Sequence, residues 1–237
     1  MRAKSYFDIE NSIEIAVNDG KSINLISYSF SEDMEKKLNS VIKKVTGKFS
    51  QDDLGGVIYT IIKELAINGT KANIKYLFLE ENNFDPEDRD SYNEGMKLFK
   101  KNISEKFLLQ MGAKARKKGL WVKIHFNYND TGLSIYVKNN RLLSQHDEKR
   151  IREKLSKAMQ YTDIAQFYME NLDESEGAGM GIALIIILLK AENIDPAYFR
   201  IFTEEDNTTI ARVEIPFTED FVSLREQGKE DVITETP

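Results

Sequence analysis

The chain has no cysteine, which excludes disulfides, thiolate metal sites and a cysteine nucleophile, and fits a reducing compartment. Histidine is nearly as scarce. His125 and His146 stand apart in the sequence, so no transition-metal ligand cluster is expected. Long apolar runs are missing too: the longest, residues 182–189, is far too short to cross a bilayer. The opening Met1-Arg2-Ala3-Lys4-Ser5 leads into acidic residues and not into a signal-peptide core, so a cytoplasmic protein without membrane insertion is expected. Positive charge is in deficit, with a net charge of −6 and a pI near 5.2, which argues against a generic nucleic-acid binder.

What remains is enough for a substantial core: 237 residues, 41% hydrophobic and 30% charged. The pattern predicts one domain over residues 1–217 with an elaborate insertion. Residues 12–17 alternate polar and apolar, Asn18-Asp19-Gly20 supplies a turn, and residues 23–30 are rich in strand formers, so an opening hairpin is expected. Ser31, Glu32 and Asp33 start a helix. A second follows Ser50-Gln51-Asp52-Asp53, with Ser50 as its cap and Ile58, Ile61, Ile62 and Leu65 as its buried stripe. Residues 80–94 are acidic and 97–118 basic, the basic part threaded by Met96, Phe99, Ile103, Phe107 and Leu108 at helical spacing. That amphipathic insertion, about 80–118, is either a solvated face packed on the domain or a docking surface. Residues 121–128 with 133–137, and 198–202 with 209–215, predict two further hairpins. Strands early and late with helices between them predict an α+β, two-layer α/β sandwich, its mostly antiparallel sheet covered by helices on one face. Residues 218–237 have little to bury and read as an acidic tail. There is no internal repeat.

The most informative stretch is Gly177-Ala178-Gly179-Met180-Gly181. Three glycines at alternate positions, just where a helix begins, let successive N–H groups and the helix dipole face an anion. A Rossmann turn is excluded because Ile182 stands where its third glycine belongs and an acidic stretch precedes it in place of a strand. Gly20-Lys21-Ser22 resembles a P-loop tail, but Ile15 occupies the position of the required earlier glycine. Upstream, Glu64, Asn68 and Lys71 stand at i, i+4 and i+7, sharing one helix stripe beside the apolar one. A carboxylate there can act as a general base, an amide oxygen can ligate magnesium, and a lysine can neutralise phosphate.

Together these residues resemble a known family. Glu64-Leu65-Ala66-Ile67-Asn68-Gly69-Thr70-Lys71-Ala72 is similar to the N box, and Gly177-Ala178-Gly179-Met180-Gly181 to the second glycine box, of the GHKL (Bergerat-fold) ATPases. Residues 208–216 are similar to the closing strand of kinase members, with Thr209 where a threonine approaches the nucleotide. The layout resembles histidine-kinase ATPase domains and anti-sigma-factor serine kinases most. The resemblance implies ATP under a flexible lid at about 142–175, magnesium on Asn68, Glu64 as the base, and the backbone of Gly177 to Gly181 around the phosphates.

One motif departs. The family's Asp-x-Gly-x-Gly, which holds adenine, reads Asn139-Asn140-Arg141-Leu142-Leu143 here. Asn139 can accept through its amide oxygen without the charge-assisted bond, a loss of about 1–2 kcal/mol. Arg141 and Leu143 put bulk where glycine leaves space. Two outcomes stay open: a reshaped pocket in which Arg141 reaches a phosphate or a partner, or a degenerate domain used as an interaction module. Neither histidine has phosphoacceptor surroundings, so each is expected at the surface and any acceptor belongs to another protein. The functional expectation is an ATP-binding regulatory protein acting on a partner in cytoplasmic signalling, through the insertion or as a homodimer.

Overall fold

A computed structural model describes residues 6–170, 180–204 and 206–228. The elements run α1 (Tyr6–Asn18), β1 (Ile23–Ser27), α2 (Glu32–Lys48), α3 (Gly55–Glu81), α4 (Arg89–Asn102), α5 (Glu105–Lys117), β2 (Val122–Tyr128), β3 (Gly132–Asn139), α6 (Gln145–Ala158), α7 (Ile164–Glu170), α8 (Met180–Ala191), β4 (Phe199–Thr203) and β5 (Thr209–Pro216). The strands form one antiparallel sheet in the order β1-β2-β3-β5-β4. The protein is therefore an α+β sandwich. Ile124, Phe126, Ile135, Val137, Val213 and Ile215 on one sheet face join Leu38, Val41, Ile58, Ile61, Ile62 and the buried isoleucines of α8 in a single core. Each such side chain contributes about 1.5–3 kcal/mol on burial. No helix among the described residues is long and apolar enough to cross a membrane.

Residues 12–17 are helical, not the first strand of a hairpin. Ile9, Ile13, Ala16 and Val17 form a stripe at helical spacing that packs on the main core, whereas the alternating set would require Ile15 to be buried, and Ile15 is 56% exposed. Asn18-Asp19-Gly20 ends this helix: Gly20 takes φ +69° and Lys21 N–H donates to the Ala16 carbonyl. Ser31 caps α2, accepting from Met34 N–H at 3.3 Å. Ser50 does not cap α3. It sits at φ +56°, and a 3-10 turn over Asp52–Leu54 intervenes before the helix starts without a side-chain cap.

α3 does not stop after the N-box-like segment but runs on to Glu81, and its second half anchors the insertion. Ile74, Leu77 and Phe78 pack with Phe99, Met111, Ala115 and Leu120 in a second core, flanked by Met96, Phe107 and Leu108. The insertion is two helices rather than one. The break falls at Ile103, and Ser104 caps α5 by accepting from Phe107 N–H at 3.2 Å. Most of its apolar stripe is thereby used internally.

The outer sheet face is polar but covered. Asn24, His125, Tyr136 and Arg212 lie in one register row, and Ser134 faces Glu214 in the neighbouring row. His125, expected at the surface, is buried, with Nδ1 2.9 Å from Asn24 Oδ1. Residues 218–228, the start of the segment read from the sequence as a tail, pack here: Phe221 lies against Gly132 and Tyr198, Leu224 N–H donates to Glu214 Oε1 at 2.9 Å, and Ser223 is buried. Burial pushes the Glu214 carboxyl upward, opposed by that bond and by Arg212.

Candidate functional site

α3 is the spine of the site. Its Glu64 and Asn68 face the first turn of α8. A Cβ built on Gly181 would lie 2.6 Å from Glu64 Oε2 and 3.2 Å from Asn68 Nδ2, so glycine permits this close approach of helix backbone to the two side chains. Glu64 is half-buried and Asn68 exposed, and neither has a side-chain hydrogen-bond partner among the described residues. Met180 opens α8; Gly177, Ala178 and Gly179 lie outside the described residues.

Further along α3 the same face borders a cavity of about 410 Å³, within the roughly 300–1,000 Å³ range of small-molecule sites. Ala72, Lys75, Tyr76 and Leu79 of α3 form one wall, and Asn139, Arg141, Leu143 and Thr209 another. The fold thus brings Asn139, Arg141 and Thr209 together beside the α3 stripe, although they come from two hairpins. Asn139 and Thr209 are register partners in β3 and β5, and Thr209 Oγ1 donates to the Arg141 carbonyl at 2.5 Å. Asn139 Nδ2 donates to Asn73 Oδ1 at 3.3 Å and to the Arg141 carbonyl at 3.4 Å, while Asn73 Nδ2 donates to the Trp121 carbonyl at 2.9 Å. This chain of amides locks Asn139 with its oxygen still able to accept. Lys71 is half-buried but does not line the cavity; Lys75, one turn on, does.

Arg141 lines the cavity beside Tyr76. Its guanidinium carbon sits 3.8 Å from the Tyr76 ring centroid, a close cation–π contact, and its buried Nε has no hydrogen-bond partner. A second polar cluster closes the far side. Asp147 of α6 pairs with Lys75, accepts from Tyr92 OH at 2.9 Å and Ser144 Oγ at 2.8 Å, and lies 3.4 Å from Arg150. Burial alone would raise the Asp147 carboxyl, but Lys75 and these hydrogen bonds outweigh it and hold the carboxyl below its ordinary range. Burial lowers Lys75 and raises the Tyr92 hydroxyl. His146 stacks on Tyr92 with ring centroids 5.4 Å apart. The cluster ties the segment expected as a lid to the insertion and to α3. The middle of that segment is held where Lys190 Nζ donates to the Met159 and Tyr161 carbonyls at 2.6 and 2.8 Å. Residues 171–175 of that segment lie outside the described residues.

Sequence reasoning missed Lys75, Tyr76, Tyr92 and Asp147. The α3 pair was findable, since Lys75 continues the Glu64–Asn68–Lys71 stripe at helical spacing. Asp147 was not, because Tyr92 and Lys75, which tie it to the cavity, stand 55 and 72 positions away and no local pattern relates them.

A Treponema pallidum (strain Nichols) protein described as uncharacterized is 30% identical to this chain over 198 residues, covering 82% of this chain and 37% of that protein. The chain spans little more than a third of the length of the relative it matches. No protein-family model matches the chain, and no solved structure matches it.

Proposed function

We propose that this is a nucleotide-binding regulatory domain of the GHKL type that acts on a partner protein. The observation that carries this reading is Gly181 seated against Glu64 and Asn68, next to a ligand-sized cavity that also gathers Asn139 and Thr209. An anion at the α8 N-terminus would meet free N–H groups and the positive helix end. The free amide and carboxylate oxygens of Asn68 and Glu64 suit magnesium, a hard cation that keeps several waters and takes its remaining ligands from phosphate. In this reading Asn68 holds the ion, Gly177 to Gly181 surround the phosphates, and Glu64 accepts a proton from the attacking water or hydroxyl. The nucleotide that the resemblance implies is ATP, and the phosphoryl acceptor belongs to a partner, with the α4–α5 insertion as the docking element.

The test is turnover in Glu64→Ala. Nucleotide binding within about threefold of wild type with hydrolysis or transfer lost supports the assignment, and unchanged turnover removes Glu64 from the role. A second reading, a degenerate domain serving as an interaction module, draws support from Arg141 occupying the base end on Tyr76. It predicts that removing the insertion, about 80–118, abolishes partner capture while Glu64→Ala has no effect.

A further inference from the structure

We propose that the outer face of the sheet carries a second site, which takes a small organic ammonium ion; this inference does not rest on the nucleotide reading. A cavity of about 560 Å³ lies there, between β2, β3 and β5 and the folded-back residues 218–228, and it shares no lining residue with the cavity beside α3. Its charge is one-sided. Glu214 and Asp220 line it, and among the described residues no lysine or arginine does. Arg212 lies 3.4 Å from Glu214 Oε2 but is almost fully buried and stays out of the lining. An anion entering this space would meet two carboxylates, whereas a cation would be drawn in.

The floor offers oxygens close together. Ser134 and Glu214 are register partners on β3 and β5, and Tyr136 follows Ser134 on the same face. Tyr136 is 4% exposed and lines the cavity, yet its hydroxyl has no hydrogen-bond partner among the described residues. Buried polar groups are ordinarily paired, so this one points to a partner that the chain does not supply. Burial pushes the hydroxyl up to about 12, which keeps it neutral and able to accept. Burial also holds the Glu214 carboxyl above its ordinary range despite Leu224 N–H and Arg212, and a further cation would relieve it. The three N–H donors of an ammonium group match the Glu214 carboxylate and the Tyr136 and Ser134 hydroxyls. Phe221 adds aromatic surface, which is favourable beside a cation.

Calorimetric titration of the full chain with putrescine, butanediol and succinate tests the proposal, because these probes share a butane chain and differ in charge. Putrescine is expected to bind at millimolar concentration or below, and the neutral diol and the dianion are expected not to bind. Tyr136→Phe, which removes a hydroxyl that no described residue uses, should keep the wild-type melting temperature and weaken putrescine about fivefold, the scale of one hydrogen bond. Glu214→Gln should abolish binding, and Glu64→Ala, in the other cavity, should leave it unchanged. Butanediol or succinate binding as tightly as putrescine overturns the ammonium assignment. Putrescine binding that survives both Tyr136→Phe and Glu214→Gln, or that is lost in Glu64→Ala, belongs to carboxylates elsewhere and overturns the site, as does the absence of putrescine binding. If Glu214→Gln does not fold, Tyr136→Phe and the comparison of probes decide.

Discussion

Replacing Gly181 with alanine separates a packing role from a ligand role. The new Cβ would stand 2.6 Å from Glu64 Oε2, well inside contact distance, so Glu64 has to move. The obstacle is the end of a flexible side chain, and its displacement costs about 0.5–1.5 kcal/mol in rotamer strain. Against this, alanine in place of glycine favours a helix by up to about 1 kcal/mol, less in a first turn. The two nearly cancel. Thermal denaturation of Gly181→Ala should therefore lie within about 1 kcal/mol of wild type. Binding should not be spared, because the crowded Asn68 amide is the group assigned to the metal and the new methyl narrows the space at the start of α8 assigned to the phosphates. A loss of about tenfold or more in magnesium-nucleotide affinity corresponds to about 1.4 kcal/mol, the scale of one charged hydrogen bond. A drop in stability above about 2 kcal/mol with binding retained would refute this reasoning and make Gly181 a packing residue only.

Other outcomes follow from the same geometry. Asp147→Ala leaves Lys75 buried without its partner and should destabilise the protein by about 3–5 kcal/mol in denaturant titration; Asp147→Asn should cost less. Because the folded Asp147 carboxyl is held below its unfolded value, its stabilisation is present above the unfolded value of about 3.9 and is lost as pH falls through the folded one. The acid limb of the stability profile should flatten in Asp147→Asn and not in a surface control such as Asp130→Asn. Phe99→Ala empties the second core and should cost about 3–5 kcal/mol, with hydrogen exchange accelerated first in α4 and α5.

Much of the architecture was legible where apolar side chains keep to one face of an element. The hairpins β2–β3 and β4–β5 alternate cleanly toward the helix layer, and Ile58, Ile61, Ile62 and Leu65 mark the buried face of α3 at helical spacing. α1 was misread because Ile13, Ile15 and Val17 fit a two-residue period over a short window, and only tertiary packing decides that Ile15 faces solvent. His125 was misplaced for a related reason: alternation identifies the polar side of a strand but cannot show that residues 218–228 fold back over it. At the site, Glu64 and Asn68 announced themselves by spacing on one helix. Their meeting with Gly181, and the convergence of Asn139, Arg141 and Thr209 on the cavity, depend on sheet register and helix packing that no local pattern encodes.

The central claim is that Asn68 and the α8 N-terminus hold the magnesium and the phosphates of a nucleotide, with Glu64 beside them as the base. Titration of the wild-type chain with nucleoside triphosphate, with and without magnesium and alongside Asn68→Ala, tests it most directly. The account predicts micromolar binding, about −8 kcal/mol, that weakens sharply when magnesium is withheld or Asn68 is truncated. Binding indifferent to both magnesium and Asn68, or no binding up to millimolar nucleotide, would contradict it.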